Sequence, residues 1–219
     1  MRAWIYDQTF VGLTVGWYRE VLKRLPRGAR LLDVGIGTGG ALVRNAALVR
    51  SRDLHIVGVD IDGVYLRRCR KLVGETGLGR YVTPLLESVY DHRGGPYDAI
   101  YFSASFMLLP DPVGALRHAA QMLAPGGRIY FTQTIHTKRA PVMEKVKPLL
   151  HRLTTIHFGR VTYEHELVEV VGRSGLHLHE WHNLGGTRDL RFCLAMAKRP
   201  ARGVENDLPA PVAARAAVA

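Results

Sequence analysis

The chain has 219 residues, 47% of them hydrophobic, with 30 Lys and Arg against 19 Asp and Glu and only two Cys. Apolar runs between charged stretches are enough to bury one core, which excludes general disorder. Cys69 and Cys193, with no CxxC or Cys/His ligand spacing, exclude a disulfide scaffold and a zinc module and favour a reducing compartment.

Apolar stretches such as Ala99 to Pro110 fall short of the roughly 18 to 20 residues of a membrane span. The opening MRAWIYDQTF lacks the layout of a signal peptide or an organellar presequence, so a soluble protein of the cytoplasm or an organellar matrix is expected. The net charge of +11 is spread along the chain, densest from His136 to Arg160, where Lys138, Arg139, Lys145, Lys147, Arg152 and Arg160 face Glu144 alone. That stretch reads either as a solvated helix face or as a contact for an anionic partner such as RNA or a ribonucleoprotein.

In chain order, Val11 to Leu25 places Tyr18, Val21, Leu22 and Leu25 at helical spacing and stops at Pro26-Arg27-Gly28, which predicts an opening helix. Arg30 to Val34 reads as a strand apolar on both faces, as in a parallel sheet covered by helices. The glycine cluster Gly35 to Gly40 leads into a helix to about Arg50. Strand Leu54 to Asp60, helix Gly63 to Glu75, strand Arg80 to Leu86 and strand Tyr97 to Phe102 follow. Asp111-Pro112 supplies an N-cap and a first-turn proline, Leu116, Ala119, Ala120 and Leu123 form a buried stripe, and Pro125-Gly126-Gly127 reads as the turn before strand Arg128 to Thr134. Next comes a basic amphipathic helix with Val142, Val146, Leu149 and Leu153 on one side, kinked at Pro148, then a helix from Tyr163 to Arg173. Leu176 to Asn183 and Asp189 to Ala197 read as an antiparallel pair joined by a short loop. The alternation predicts an α/β, doubly wound sheet over residues 1–199, mixed at its end, and a flexible tail over 200–219.

The chemistry centres on LLDVGIGTGG, Leu31 to Gly40, a strand running into glycines that open a helix. Such a turn lets a ligand come against bare backbone and offers unpaired N–H groups. Gly35, Gly37 and Gly40 satisfy the GxGxxG spacing of dinucleotide folds, and Asp60 ends the next strand where a ribose-binding acid belongs, so spacing alone leaves the cofactor open. Asp33 sits where a dinucleotide fold usually has an apolar residue. A buried acid calls for a cationic or hydrogen-bonding ligand, and the amino group of S-adenosylmethionine would suit.

With VGVDID, YDAIYFSASFMLLPDP and LAPGGRIYFTQT following in order, residues 6–198 resemble the class I S-adenosylmethionine-dependent methyltransferases, in the small-molecule branch of ubiquinone and menaquinone biosynthesis. The resemblance implies a Rossmann-like, seven-stranded, mostly parallel sheet with an antiparallel last strand and helices on both faces. It implies S-adenosylmethionine as cofactor, with Gly35, Gly37 and Gly39 against its methionine and ribose, Asp60 on both ribose hydroxyls and Ile61 on the adenine. Glu87, Ser88 and Val89 occupy the loop that meets the base, and Ser103 would lie beside the sulfonium. Tyr6 is a candidate lid over the cofactor; Tyr18 is assigned to the core.

Methyl transfer from a sulfonium is an in-line displacement in which positioning supplies much of the rate, and a base serves oxygen acceptors of high pKa. His136, just beyond the fifth strand, and His157 are the candidate bases, with Glu87 behind them. FSASFM stands where base-amino methylating enzymes carry Asn/Asp-Pro-Pro-Tyr/Phe, which disfavours such an amine as acceptor. Ser103 and Ser105 lack GxSxG, against a hydrolase. His177, His179 and His182 fit a half-exposed strand better than a metal site. The expected activity is methyl transfer to a small molecule or side chain. The alternative is an RNA-associated protein of the same fold, whether an rRNA methyltransferase or a lapsed assembly factor, and a nicotinamide-dependent oxidoreductase is disfavoured by Asp33 and the terminal hairpin.

Overall fold

Leu31, Leu32 and Val34 are each almost wholly buried, because their strand lies in the middle of a sheet with helices on both faces. The computed structural model describes the backbone of residues 2–137 and 162–200 and the side chains from residue 12 onward. The elements run α1 (Arg2–Arg24), β1 (Arg30–Val34), α2 (Gly40–Val43), α3 (Ala46–Ser51), β2 (His55–Asp60), α4 (Gly63–Glu75) and β3 (Val82–Leu86). They continue with β4 (Tyr97–Ser103), a 3-10 turn (Phe106–Leu108), α5 (Pro112–Gln121), β5 (Leu123–His136), α6 (Glu164–Arg173), β6 (His177–Gly186) and β7 (Leu190–Lys198).

The seven strands lie in the order β3-β2-β1-β4-β5-β7-β6. Strands β1 to β5 pair in parallel, and β7 runs antiparallel to both β5 and β6. The chain winds outward from β1 to β3 and then returns to place β4 on the other side of β1. Doubly wound sheets bind ligands beyond the carboxyl ends of the strands at this switch point. Alternation along the strands feeds two cores. Leu31, Tyr101, Tyr130 and Leu194 meet Tyr18, Leu22 and Leu66 on the α1/α4 face. Leu32, Ile100, Phe102 and Phe131 meet Leu116, Leu167 and Val171 on the α5/α6 face.

The local signal acts as expected at Asp111, and Asp62, not singled out in the sequence, caps α4 in the same way: each carboxylate accepts N–H from the first turn of its helix. Three departures from the sequence reading exceed a shift of a few residues at an element's end. Helix α1 begins at Arg2 instead of Val11, since no proline or glycine breaks the chain before Gly12. The single helix expected from the glycines to Arg50 is two, parted at Arg44 and Asn45. The Asn45 side chain, buried, donates to the carbonyls of Val15 (3.0 Å) and Ala41 (2.9 Å) and so ties the break to α1. Pro125-Gly126-Gly127 lies within the bounds of β5, in an excursion of the register between Tyr97↔Leu123 and Ala99↔Arg128. The basic helix with its kink at Pro148, most of the segment from His136 to Arg160, and the expected tail beyond Pro200 lie outside the described residues. Among the described residues no helix is long and apolar enough to cross a membrane.

Candidate functional site

The carboxyl ends of β1, β2, β3 and β4 bring Asp33, the glycine turn, Asp60, Ile61, Glu87 and Ser103 to one edge of the sheet. The turn leaves β1 by hydrogen bonds from the N–H groups of Gly35 and Ile36 to the Val59 carbonyl (2.8 and 3.2 Å). Gly35, Gly37 and Gly39 all have positive φ, and their surroundings differ. A Cβ on Gly35 would lie 2.5 Å from that of Ser105, and one on Gly39 would lie 2.7 Å from the Cys69 sulfur, so these two glycines let the turn pack against its neighbours. A Cβ on Gly37 would meet nothing within 4 Å. Gly37 is therefore the point where bare backbone borders open space.

Asp60 faces that point. Its Oδ2 accepts the Gly37 N–H (2.8 Å) and its Oδ1 accepts the Asp62 N–H (2.8 Å), which fixes both oxygens and leaves each a lone pair. Burial raises its carboxyl above the ordinary range, while these backbone donors pull it down. Three of the large apolar side chains most exposed among the described residues surround it: Ile61 (77%), Leu86 and Val64 (both 59%). Apolar side chains standing open beside a clamped carboxylate suit a ligand with a flat apolar ring and a diol.

Asp33 is fully buried on the α1 face. Tyr18 Oη donates to its Oδ2 (2.8 Å), whereas Oδ1 has no partner among the described residues. Burial pushes the carboxyl up to about 7, with the Tyr18 hydrogen bond opposing and the Asp60 charge adding to the rise. Tyr18 stands edge-on to Tyr101 at 5.0 Å, and the Tyr101 hydroxyl bonds that of Thr132 (2.6 Å), so the acid has an aromatic wall. The sequence reading placed Tyr18 in the core and missed its phenol as the partner of Asp33. The one available signal was a hydroxyl on an otherwise aliphatic helix stripe.

After β4 the chain turns through Ala104, at φ 53°, whose N–H donates to the Thr132 carbonyl (2.8 Å). The Ser105 hydroxyl then donates to the Val34 carbonyl, which pins this loop onto the glycine turn and holds Ser103, half-buried, at the strand end. In the loop after β3, the Glu87 N–H donates to the Asp60 carbonyl (3.0 Å) and its carboxylate meets buried His92. Ser88 accepts from the N–H of Tyr90 (3.3 Å). Val89 is core, in the same buried cluster as Val59 and Phe106 on the α5 face. Its side chain does not line the open edge.

His136 ends β5, four residues beyond Thr132, which pairs with Ser103, so it rises above the same edge. Its N–H donates to the Thr162 carbonyl (3.0 Å) and its ring lies edge-on to Tyr163 at 6.4 Å. His157 and the Tyr6 side chain lie outside the described residues. Among the described residues no group of three His, Cys, Asp or Glu side chains could hold a metal: His182 pairs with Glu180 and His179 lies beside the Lys198 ammonium. Both thiols are buried and pushed up to about 12, which leaves neither as a nucleophile.

A nucleoside with a cationic end fits these residues on three observations: the orphaned Oδ1 of Asp33, the open backbone at Gly37, and the twice-bonded carboxylate of Asp60. Comparison with known proteins agrees. A family model described as a methyltransferase domain matches residues 13–180. The ubiquinone biosynthesis O-methyltransferase of Xylella fastidiosa (strain 9a5c) is 30% identical over 73% of this chain and 66% of its own length. Among solved structures, the 4+2 cyclase SpnF superposes with a TM-score of 0.70 at 20% identity, over 89% of this chain and 83% of that one. Geranyl diphosphate C-methyltransferase from Streptomyces coelicolor A3(2), solved with S-adenosyl-L-homocysteine, gives 0.67 at 14%, over 86% and 79%. The chain spans about half to two thirds of the length of the curated relatives it matches.

Proposed function

Because the chain belongs to the methyltransferase-domain family, we propose that it transfers a methyl group from S-adenosylmethionine to an oxygen of a small-molecule acceptor. The observation that carries the reading is the clamp at Asp60, whose two oxygens are held by the backbone of Gly37 and Asp62 beside open space. A carboxylate so fixed accepts both hydroxyls of a ribose without reorganising. Ile61 and Leu86 cover the base, Glu87 and the backbone of Ser88 and Val89 stand at its rim, and Gly35, Gly37 and Gly39 shape the turn against the methionine and ribose. Asp33 serves the cationic end, Ser103 the neighbourhood of the sulfur, and Tyr6, whose side chain lies outside the described residues, is the candidate lid.

The cofactor supplies an electrophilic methyl group, so the chain has to orient an acceptor in line, exclude water and take up one proton. His136 accepts the acceptor's hydroxyl proton; His157 is the second candidate. An oxygen acceptor is supported by relatives named as O-methyltransferases. No structural observation favours RNA, and the basic segment that suggested it lies mostly outside the described residues. Residues 1–199 form the catalytic domain and 200–219 are a dispensable tail.

The test is calorimetric titration with S-adenosylhomocysteine of the full chain, of a chain ending at Pro200, and of Asp60→Ala. Micromolar binding by the first two and its loss in the third are expected. Absence of binding by the full chain would overturn the reading. Phenolic and enolic acceptors would then be screened for methylation.

A further inference from the structure

Besides Asp33, one other buried side chain among the described residues leaves polar atoms unpaired. Gln133 on β5 is wholly buried, and neither its Oε1 nor its Nε2 has a hydrogen-bond partner among those residues. Buried polar groups are almost always paired, and a primary amide both donates and accepts, so two orphaned atoms at one core position call for a partner from outside the fold. The strand itself gives no reason for an amide there. Its neighbours on the same face are Phe131 and Ile135, both buried, and its partner across the pair with β7 is the buried Cys193. A methionine or leucine would simply extend this core.

Strand register places the amide at the carboxyl end of the sheet. The pairing of β4 with β5 ends at Ser103↔Thr132, and Gln133 is the first residue past it. The Thr132 carbonyl, in the peptide bond that leads into Gln133, accepts the Ala104 N–H, so the loop that leaves β4 starts beside it. Thr132 faces α1, where its hydroxyl meets that of Tyr101, and alternation turns Gln133 to the α5/α6 side with Phe131. On that side Phe106, from the turn after β4, stands edge-on to Phe131 at 4.9 Å and to Phe102 at 5.4 Å. The amide therefore adjoins an aromatic wall, one residue beyond the level of Ser103, the residue proposed to lie near the sulfur. Charge adds a further constraint. Burial raises the Cys193 thiol, and the charge of Glu164 at the head of α6 adds to the rise, which puts a carboxylate near this corner and disfavours an anionic ligand.

Resting on the methyltransferase reading, we infer that Gln133 is a specificity-determining residue for the methyl acceptor: its amide pairs with a neutral edge of that molecule on which a hydrogen-bond donor stands next to a carbonyl. Nε2 donates to the carbonyl and Oε1 accepts from the adjacent N–H or O–H, which satisfies both orphaned atoms at once. A carbonyl alone leaves Oε1 unpaired, and a carboxylate does the same while adding a charge near Glu164. Gln133 and His136 lie three residues apart, on opposite faces of β5, so the edge read by Gln133 is not the hydroxyl that gives its proton to His136.

The test needs no natural acceptor. In thermal unfolding of the full chain, Gln133→Met, which fills much the same space without an amide, should raise Tm by about 3 to 6 °C and leave the affinity for S-adenosylhomocysteine within about twofold. Ligand choice is read by calorimetry on the chain loaded with S-adenosylhomocysteine, using 6-hydroxy-2-quinolone and 6-hydroxycoumarin. These bicyclic phenols differ only in having a ring N–H or a ring oxygen beside the carbonyl. The unaltered chain should favour the quinolone by about tenfold, the effect of one buried hydrogen bond, and Gln133→Met should bind the two within about twofold of each other. A fall in Tm on Gln133→Met would show the amide paired inside the fold, by an ordered water or by the chain itself, and would overturn the inference. Equal affinity of the unaltered chain for the two probes, or binding of neither, would overturn it as well, with S-adenosylhomocysteine still bound and the methyltransferase reading intact. Failure to bind S-adenosylhomocysteine would remove that reading and this inference with it.

Discussion

Replacing Asp33 by asparagine should change how the stability of the chain depends on pH. The Asp33 carboxyl rises from 3.8 to about 7 on folding, chiefly through burial. The folded state therefore holds the proton more tightly than the unfolded chain. Its contribution to stability is fully present below about pH 3.8 and is lost as pH climbs through 7. Between pH 5 and pH 8 the linkage relation with these two values gives a loss of about 3 kcal/mol. The Asp33→Asn side chain has the same shape, still accepts from Tyr18 and does not titrate. Urea unfolding of both chains at half-unit steps from pH 5 to 8 should show the Asp33→Asn variant gaining about 2 to 3 kcal/mol on the native chain, or roughly 5 to 10 °C in Tm for a domain of this size. Tyr18→Phe supplies the opposite check. Without the phenol the ionised carboxyl loses its one hydrogen bond among the described residues, so this variant should lose about 2 kcal/mol at pH 8 and less at pH 5. Asp60 is raised as well, chiefly by burial, and because its charge is the smallest of the causes acting on Asp33, its own titration is largely common to the three chains. Stability curves for the native chain and Asp33→Asn that run parallel within about 0.5 kcal/mol would refute the assignment of a high carboxyl pKa to this burial.

Gly37→Ala should cost about 1 to 2 kcal/mol of stability through its positive φ alone, and should weaken S-adenosylhomocysteine by more than that, because the new methyl enters the open approach. Gly39→Ala should cost about 2 to 4 kcal/mol, part of it recovered by Cys69→Ala, since its Cβ would meet the Cys69 sulfur; equal effects at 37 and 39 in chemical unfolding would contradict this division. Ile61→Ala, at a position 77% exposed, should leave Tm nearly unchanged while lowering calorimetric affinity about 5- to 10-fold. His136→Gln should lower kcat about 100-fold or more with cofactor affinity unchanged, and steady-state activity within about threefold of the native chain would exclude it as the base.

The strand-and-helix alternation was readable because the central strands are apolar on both faces and glycines, prolines and capping aspartates mark many of the segments between elements. Asp62, Asp111 and Pro112 did what their types dictate. The edge proposed for the cofactor was legible for the same reason: a glycine turn and an acid at the next strand end are local signals. What escaped depends on contacts distant in the chain. Asn45 breaks a helix by reaching Val15, Tyr18 reaches Asp33, and Ser105 reaches Val34, separations of 15 to 71 residues that no period or motif encodes. Val89 keeps its place in the loop after β3, but its side chain belongs to the buried cluster of Val59 and Phe106, which no local signal encodes. His92 lacked any signal of its own, since a histidine in a polar loop is ordinary until its two nitrogens are seen to be taken by Glu87 and Tyr97.

The Tyr18–Asp33 bond also links the opening helix, where the sequence reading placed Tyr18 in the core, to the segment Leu31 to Gly40 that it gave to the cofactor. Yet the phenol on α1 is, among the described residues, the only hydrogen-bond partner of the fully buried acid that stands two residues before the glycine turn. A chain sharing this fold at TM-score 0.70 carries the name of a cyclase, so the sheet and turn alone do not decide the reaction. What decides it must reach the proposed cofactor edge from outside the sheet and turn, and α1 does so through one oxygen. If α1 tightened on the acceptor, Tyr18 would draw closer to Asp33, favour its ionised form and strengthen its hold on a cationic ligand. Acceptor and cofactor should then bind with mutual enhancement in the native chain and independently in Tyr18→Phe. Calorimetric titration of cofactor with and without a methylated acceptor would show this, and unchanged coupling in the variant would confine Tyr18 to holding the fold.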